Sequence, residues 1–156
     1  MSASPAEVPN EALKAFEPLI GTWSTIGTHP LIPGAVFHGC SAFEWINGGA
    51  FLLMRTSTVE PQIPDGMAIF GSDDALSTVT MLYFDERGVS RRYDASMDGG
   101  VMRWWRNAPG FSQRFTCTLA ADGQTMEGRG ELSRDGTTWE PDLALSYARQ
   151  LSSPVA

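Results

Sequence analysis

The feature that most constrains this chain is a polar–apolar alternation of period two, which turn residues interrupt about every ten positions. The interruptions are short and typical of hairpins, such as NGG at 47–49, DGG at 98–100 and DG at 122–123. Alternation gives each strand one face that can be buried. The segments predicted to be strands are 21–28, 35–46, 50–60, 67–72, 77–85, 89–97, 101–106, 111–119, 124–133 and 142–151.

Ten short antiparallel strands in one open sheet would leave two unpaired edges. Closing the sheet into a barrel removes both edges and needs only short connections. A two-sheet sandwich normally needs a long crossover, and the sequence offers no connection beyond about six residues. Parallel βαβ units would need several helical segments, which are missing. We therefore predict an all-β fold, a ten-stranded antiparallel up-and-down β-barrel.

One short helix is predicted before the first strand. Asn10 can cap a helix over EALKAFE, and Pro18 is expected to end it. Leu13 and Phe16 lie three positions apart and give this helix an apolar edge. We expect residues 1–18, a loose tail followed by the helix, to close one end of a barrel domain that spans 19–151.

Charge and composition exclude several classes of partner. A net charge of −7 without a basic stripe argues against binding nucleic acid. No apolar run approaches the ~20 residues of a membrane span, and the N-terminus has no signal-peptide pattern, so a cytoplasmic protein is predicted. Cys40 and Cys117 are too few for a disulfide framework, and we interpret both as small buried side chains.

Alternation also predicts which side chains point into the barrel. Gly128 and Gly130 fall on an inward face, where they either permit bending of the strand or leave empty space. Arg149 ends the apolar face of the last strand, and a buried guanidinium needs a partner. Because the first and last strands are neighbours in a closed barrel, we predict that Arg149 covers the indole ring of Trp23. Alternatively, Tyr147 and Arg149 bind the carboxylate of a ligand.

Several segments, in order, resemble an uncharacterised bacterial family of calycin-like barrels. They are LIGTWSTIG, FEWINGGAFLLMR, LYFDERGVSRRYDASMDGG, FTCTLAADGQTMEGRGELSRDGTTWEP and LSYAR, within residues 19–150. The Gly-Thr-Trp start and late arginine are more distantly similar to lipocalins and fatty-acid-binding proteins. The resemblance implies a ten-stranded calycin-like barrel of unknown function.

The haem-binding nitrobindins also begin with a similar Gly-Thr-Trp segment and close into a similar barrel. Their haem-ligating histidine lies late in the chain, where this sequence reads DLALSYARQ. Both histidines here, His29 and His38, are early. Binding of haem or nitric oxide is therefore disfavoured, and we expect no cofactor.

Aromatic and polar-tipped side chains on inward faces predict a small-molecule pocket. The candidate ligand-binding residues are His38, Trp45, Met54, Met81, Tyr83, Tyr93, Trp104, Gln113 and Tyr147. Of the pair at 104–105, Trp104 is assigned to the interior and Trp105 to the outer face. His38 has the opposite parity to Trp45, so it lines the mouth only if a bulge reverses the alternation. Otherwise it is an ordinary exposed strand residue.

We predict that the protein binds a small hydrophobic or amphipathic molecule inside the barrel. The alternative is a small enzyme, such as an isomerase, cyclase or hydrolase, that uses pocket tyrosines or His38. No metal site is predicted, because no residues stand at recognised ligand spacing. No nucleophile elbow or phosphate loop occurs. Trp105 is a candidate contact for a homodimer.

Overall fold

Ten antiparallel strands form a closed ring in the computed structural model, which describes residues 10–151. The strands are β1 (Gly21–Thr28), β2 (Phe37–Ile46), β3 (Phe51–Thr58), β4 (Gly66–Asp73), β5 (Thr78–Asp85), β6 (Ser90–Asp98), β7 (Val101–Arg106), β8 (Ser112–Leu119), β9 (Thr125–Ser133) and β10 (Glu140–Arg149). Each strand pairs with its neighbours in the chain, and β1 pairs with β10. The predicted up-and-down barrel is confirmed, with strand ends within two residues of the predicted ones. The predicted tail, residues 1–9, lies outside the described residues.

The segment before β1 is a 3₁₀ helix, Glu11–Leu19, and it seals one end of the barrel. Its buried side chains, Leu13, Phe16 and Leu19, recur every three residues, which matches the 3₁₀ period. The Phe16 ring packs against Phe70 of β4, with ring centroids 5.4 Å apart. The side chain of Asn10 accepts a hydrogen bond from the Ala12 N–H and so caps the helix as predicted.

The prediction that Pro18 ends this helix was wrong. Pro18 lies inside the helix, which continues to Leu19. Proline fixes φ near a helical value and lacks only the N–H, so a 3₁₀ turn accommodates it near its end. The following turn is completed by the Ile20 N–H, which donates to the Glu17 carbonyl.

The ring closes where Trp23 of β1 stands opposite Arg149 of β10. Trp23 is 0% exposed, and the Arg149 guanidinium lies 4.2 Å from the centre of its ring, as the sequence predicted. The indole N–H donates to the Leu19 carbonyl at 2.9 Å. Arg149 donates to the carbonyls of Pro18, Ile20 and Gly123. Each of the three guanidinium nitrogens thus donates to a carbonyl at the helix end of the barrel, away from the mouth.

The two inward glycines of β9 serve two different close contacts. A Cβ at Gly128 would lie 2.4 Å from Cζ of Phe115, so the phenyl ring occupies this space. A Cβ at Gly130 would lie 2.9 Å from the Leu143 carbonyl oxygen, because β10 bulges there between Pro141 and Ala144. The space beside each glycine is therefore filled, by the Phe115 ring at Gly128 and by the backbone of the β10 bulge at Gly130.

The two cysteines differ in exposure, so the prediction that both are buried was wrong for Cys40. Cys40 lies on the outer face of β2 and is partly exposed. Cys117 faces inward from β8, with its Sγ 3.9 Å from the Met126 sulfur. Burial raises the pKa of the Cys117 thiol to about 12.

Within residues 10–151, no helix is long and apolar enough to cross a membrane.

We expect one fast-reacting thiol per native chain at pH 8. Cys40 should react with Ellman's reagent, whereas Cys117 should react only in denaturant, because thiolate is the reactive form. The release of thionitrobenzoate, followed with time, measures both. Cys40→Ser should abolish the fast phase, and Cys117→Ser should leave it intact. Two thiols that react equally fast in the native protein would contradict this assignment.

Candidate functional site

The barrel contains a cavity of about 530 Å³ that opens at the end opposite the helix. We call this open end the mouth; it is formed by the loops that follow β1, β3, β5, β7 and β9. The space exists because the inward residues of β1–β3 at this level are small. They are Thr25, Gly39, Ser41 and Thr56, which stand opposite or diagonal to one another across the three strands. Cavities of this size accommodate small organic molecules.

The larger side chains that line the cavity form a wall that is apolar and aromatic. It includes Met54, Met81, Trp104, Phe115, Leu145 and Tyr147. Trp104 and Phe115 stack with ring centroids 4.4 Å apart, which gives a rigid surface. Tyr147 is buried, and burial raises the pKa of its phenol well above the usual value. The wall therefore offers apolar contact and uncharged hydrogen-bonding groups.

Eight of the nine predicted ligand-binding residues line this cavity. They are His38, Met54, Met81, Tyr83, Tyr93, Trp104, Gln113 and Tyr147. The ninth, Trp45, faces inward but stands opposite Leu52, near the helix end, and does not line the cavity. Whether these residues bind a ligand stays a prediction.

His38 reaches the cavity only at the rim of the mouth. β2 pairs continuously with β3 from Gly39 to Ile46, so the bulge that would turn His38 inward is absent. Its side chain is 59% exposed and its Nδ1 lies 3.1 Å from Glu60 Oε1. The His38 backbone N–H donates to the same carboxylate, and these bonds lower the pKa of Glu60. His38 thus helps to hold the loop that follows β3.

A polar network at the mouth contains residues that the sequence did not single out for this role. His29 Nε2 lies 2.9 Å from Asp142 Oδ1, and Asp142 Oδ2 accepts a long hydrogen bond, 3.4 Å, from the Gln113 amide. The Gln113 carbonyl oxygen accepts from the Tyr93 hydroxyl at 2.8 Å and from Arg91 Nη1 at 3.2 Å. Asp142 lines the cavity because it lies in the β10 bulge. The sequence pattern does not predict that bulge.

Both ring nitrogens of His29 are engaged. The Leu31 N–H donates to Nδ1 at 3.1 Å, so Nε2 carries the proton that is donated to Asp142. This tautomer is assigned from its partners. No nitrogen remains to take a proton from a substrate. His29 instead fastens the loop after β1 to β10.

Tyr83 is also committed to a structural contact. Its hydroxyl donates to Asp85 Oδ2 at 2.8 Å, and Arg87 Nη2 lies 2.7 Å from the same oxygen. Burial raises the pKa of Tyr83, and the bonds from Arg87 and Tyr83 lower the pKa of Asp85. Tyr83 is therefore a neutral phenol whose proton is already donated.

The lining of the cavity is positive although the chain is acidic overall. Among the described residues that line it, four are arginines, Arg87, Arg91, Arg114 and Arg134, and one is a carboxylate, Asp142. Arg87 and Arg114 form salt bridges with Asp85 and Glu131. Within the described part of the chain, no cluster of three or more His, Cys, Asp or Glu side chains is arranged to hold a metal ion.

Comparison with known proteins finds similarity in structure only. No family model and no curated protein matches the sequence. Rv2717c from M. tuberculosis is similar in its crystal structure, with a TM-score of 0.66 and 16% identity, over 92% of this chain and 100% of that one. A protein of unknown function from the DUF3598 family of Nostoc punctiforme has a TM-score of 0.59 and 12% identity. The match covers 96% of this chain and 54% of that one. These likenesses show the fold alone.

Proposed function

We propose that this protein is a calycin-like binding protein that holds a small molecule with an apolar body inside its barrel. The observation that carries the proposal is the cavity of about 530 Å³ with its wall of methionine and aromatic side chains. Burial of apolar surface supplies most of the binding free energy at such sites, and methionine adapts to varied shapes. The small inward residues of β1–β3 keep the space open.

The hydrogen-bond partners of the two histidines and of Tyr83 support a binding function rather than catalysis. His29 has both nitrogens engaged, His38 reaches only the exposed rim of the mouth and contacts Glu60, and Tyr83 donates its proton to Asp85. None is placed as a free acid or base for a substrate in the cavity. The same placement does not favour a histidine-ligated haem inside the barrel, since both nitrogens of His29 are engaged and His38 stands at the exposed rim of the mouth.

A neutral fluorescent dye, N-phenylnaphthylamine, tests the proposal. We expect saturable binding with increased emission, and Thr25→Phe should weaken the affinity by about tenfold or more, because the added ring fills the cavity beside Gly39. Ser24→Phe is the matched control. Ser24 lies on the outer face, where its hydroxyl donates to the Ala148 carbonyl. Equal dye affinity in both variants and in the wild type would overturn the proposal.

A further inference from the structure

Arg91 and Arg106 occupy inward positions of β6 and β7 at the mouth, and both lie beside Tyr93. Arg91 lines the cavity, donates to the neutral Gln113 amide at 3.2 Å and lies 5.2 Å from the centre of the Phe111 ring. The Arg106 guanidinium lies 5.9 Å from the centre of the Tyr93 ring. Among residues 10–151, neither arginine forms a salt bridge with a carboxylate.

This lack of a carboxylate is notable in a chain with a net charge of −7. A partly buried guanidinium normally has an anionic partner, because desolvation of the charge is otherwise uncompensated. The nearest acidic group in the network, Asp142, is separated from Arg91 by Gln113 and is engaged by His29. Arg91 has five N–H donors, of which the bond to Gln113 uses one.

We propose that Arg91 binds the acidic group of the cavity's ligand, so that the ligand is an organic acid with an apolar body. This inference rests on the proposed function. The planar guanidinium matches a carboxylate in a bidentate manner, and Arg106 adds a second positive charge. The apolar body then extends from the mouth toward Met81 and Tyr147. Tyr93 and Gln113 position Arg91 through the shared amide oxygen.

Displacement of the bound neutral dye by decanoate and by decanol tests the inference. The two competitors share a chain length and differ in the charge of the head group. We expect decanoate to displace the dye at a concentration about tenfold or more below that of decanol, since a hydrogen bond to a charged group contributes more than a neutral one. Transfer out of water alone would favour decanol, because the alcohol loses its hydration at a lower cost than the carboxylate does. A preference for decanoate therefore requires a specific contact with its charge.

Arg91→Met should remove the preference for decanoate. The measured quantity is the ratio of the decanoate and decanol displacement constants, each corrected for the affinity of that variant for the dye. Arg92→Met is the matched control, because Arg92 is exposed on the outer face and stands opposite Leu82. Arg91→Lys keeps the charge without the planar fork and should keep part of the preference. If Arg91→Met does not fold, the ratio of decanoate to decanol displacement in the wild type and in Arg91→Lys still tests the role of Arg91.

The outcomes separate the inference from the proposed function. If the dye does not bind the wild type, the proposed function fails. If the dye binds but decanol displaces it as well as decanoate does, only the acid-binding role of Arg91 fails. A preference for decanoate that Arg91→Met retains would also overturn that role, whatever the effect of Arg92→Met.

Discussion

Replacing Trp23 with alanine is expected to lower the free energy of unfolding by about 3–5 kcal/mol. The side chain is fully buried, contacts the Arg149 guanidinium and donates to the Leu19 carbonyl. Its removal leaves a cavity, takes the ring away from a cation and leaves a carbonyl without its donor. Urea unfolding followed by far-ultraviolet circular dichroism measures the change.

Trp105→Ala is the control for this substitution. Trp105 lies on the outer face of β7 and is 36% exposed, so its loss should cost about 1 kcal/mol or less. Trp23→Phe should give an intermediate loss, because it keeps an apolar ring but not the N–H. Equal losses for the two alanine variants would show that the barrel does not depend on the contact between Trp23 and Arg149.

Gly128→Ala is expected to lower the free energy of unfolding by about 1–3 kcal/mol, although alanine is otherwise tolerated in strands. The Phe115 ring lies where the new methyl group would be, and it stacks on Trp104 with 13° between the ring planes. The ring therefore cannot retreat without disturbing the wall of the cavity. Chemical denaturation of the variant measures the loss.

A double-mutant cycle identifies the cause of this loss. Phe115→Leu shortens the side chain that meets the added methyl group, so Gly128→Ala should cost less in that background than in the wild type. The coupling free energy between the two sites is then the measured quantity. Costs that add without coupling would mean that Gly128 is required for the conformation of β9 and not for the fit of Phe115.

The strands and the closure of the barrel were predictable because their signals are local. Period-two alternation and hairpin turn residues act within about ten positions, and they place ten strands in order. Once the order is fixed, closure brings Trp23 beside Arg149 without further information. The helix before β1 was predicted, but its 3₁₀ form and its continuation through Pro18 were missed because both depend on packing over the end of the barrel.

The site was predictable in part, since alternation reports the face of a side chain but not its depth along the barrel axis. Tyr93 and Trp45 both face inward, yet only Tyr93 lies at the level of the cavity, because the 3₁₀ helix fills the other end. Asp142 was missed because a bulge turns it inward. His29 follows β1 in a loop, and its partner is distant in the chain.

Of the ten strand pairings within residues 10–151, nine join segments that are adjacent in the chain, and the β1–β10 pairing is the one that is remote in sequence. Nearly all of the loop-closure entropy beyond local hairpins is therefore spent at this one seam. The sheet can zip from hairpin to hairpin, and it becomes a ring only when its two outermost strands meet. The tryptophan and the arginine that stack across this seam thus hold together the least local step of folding.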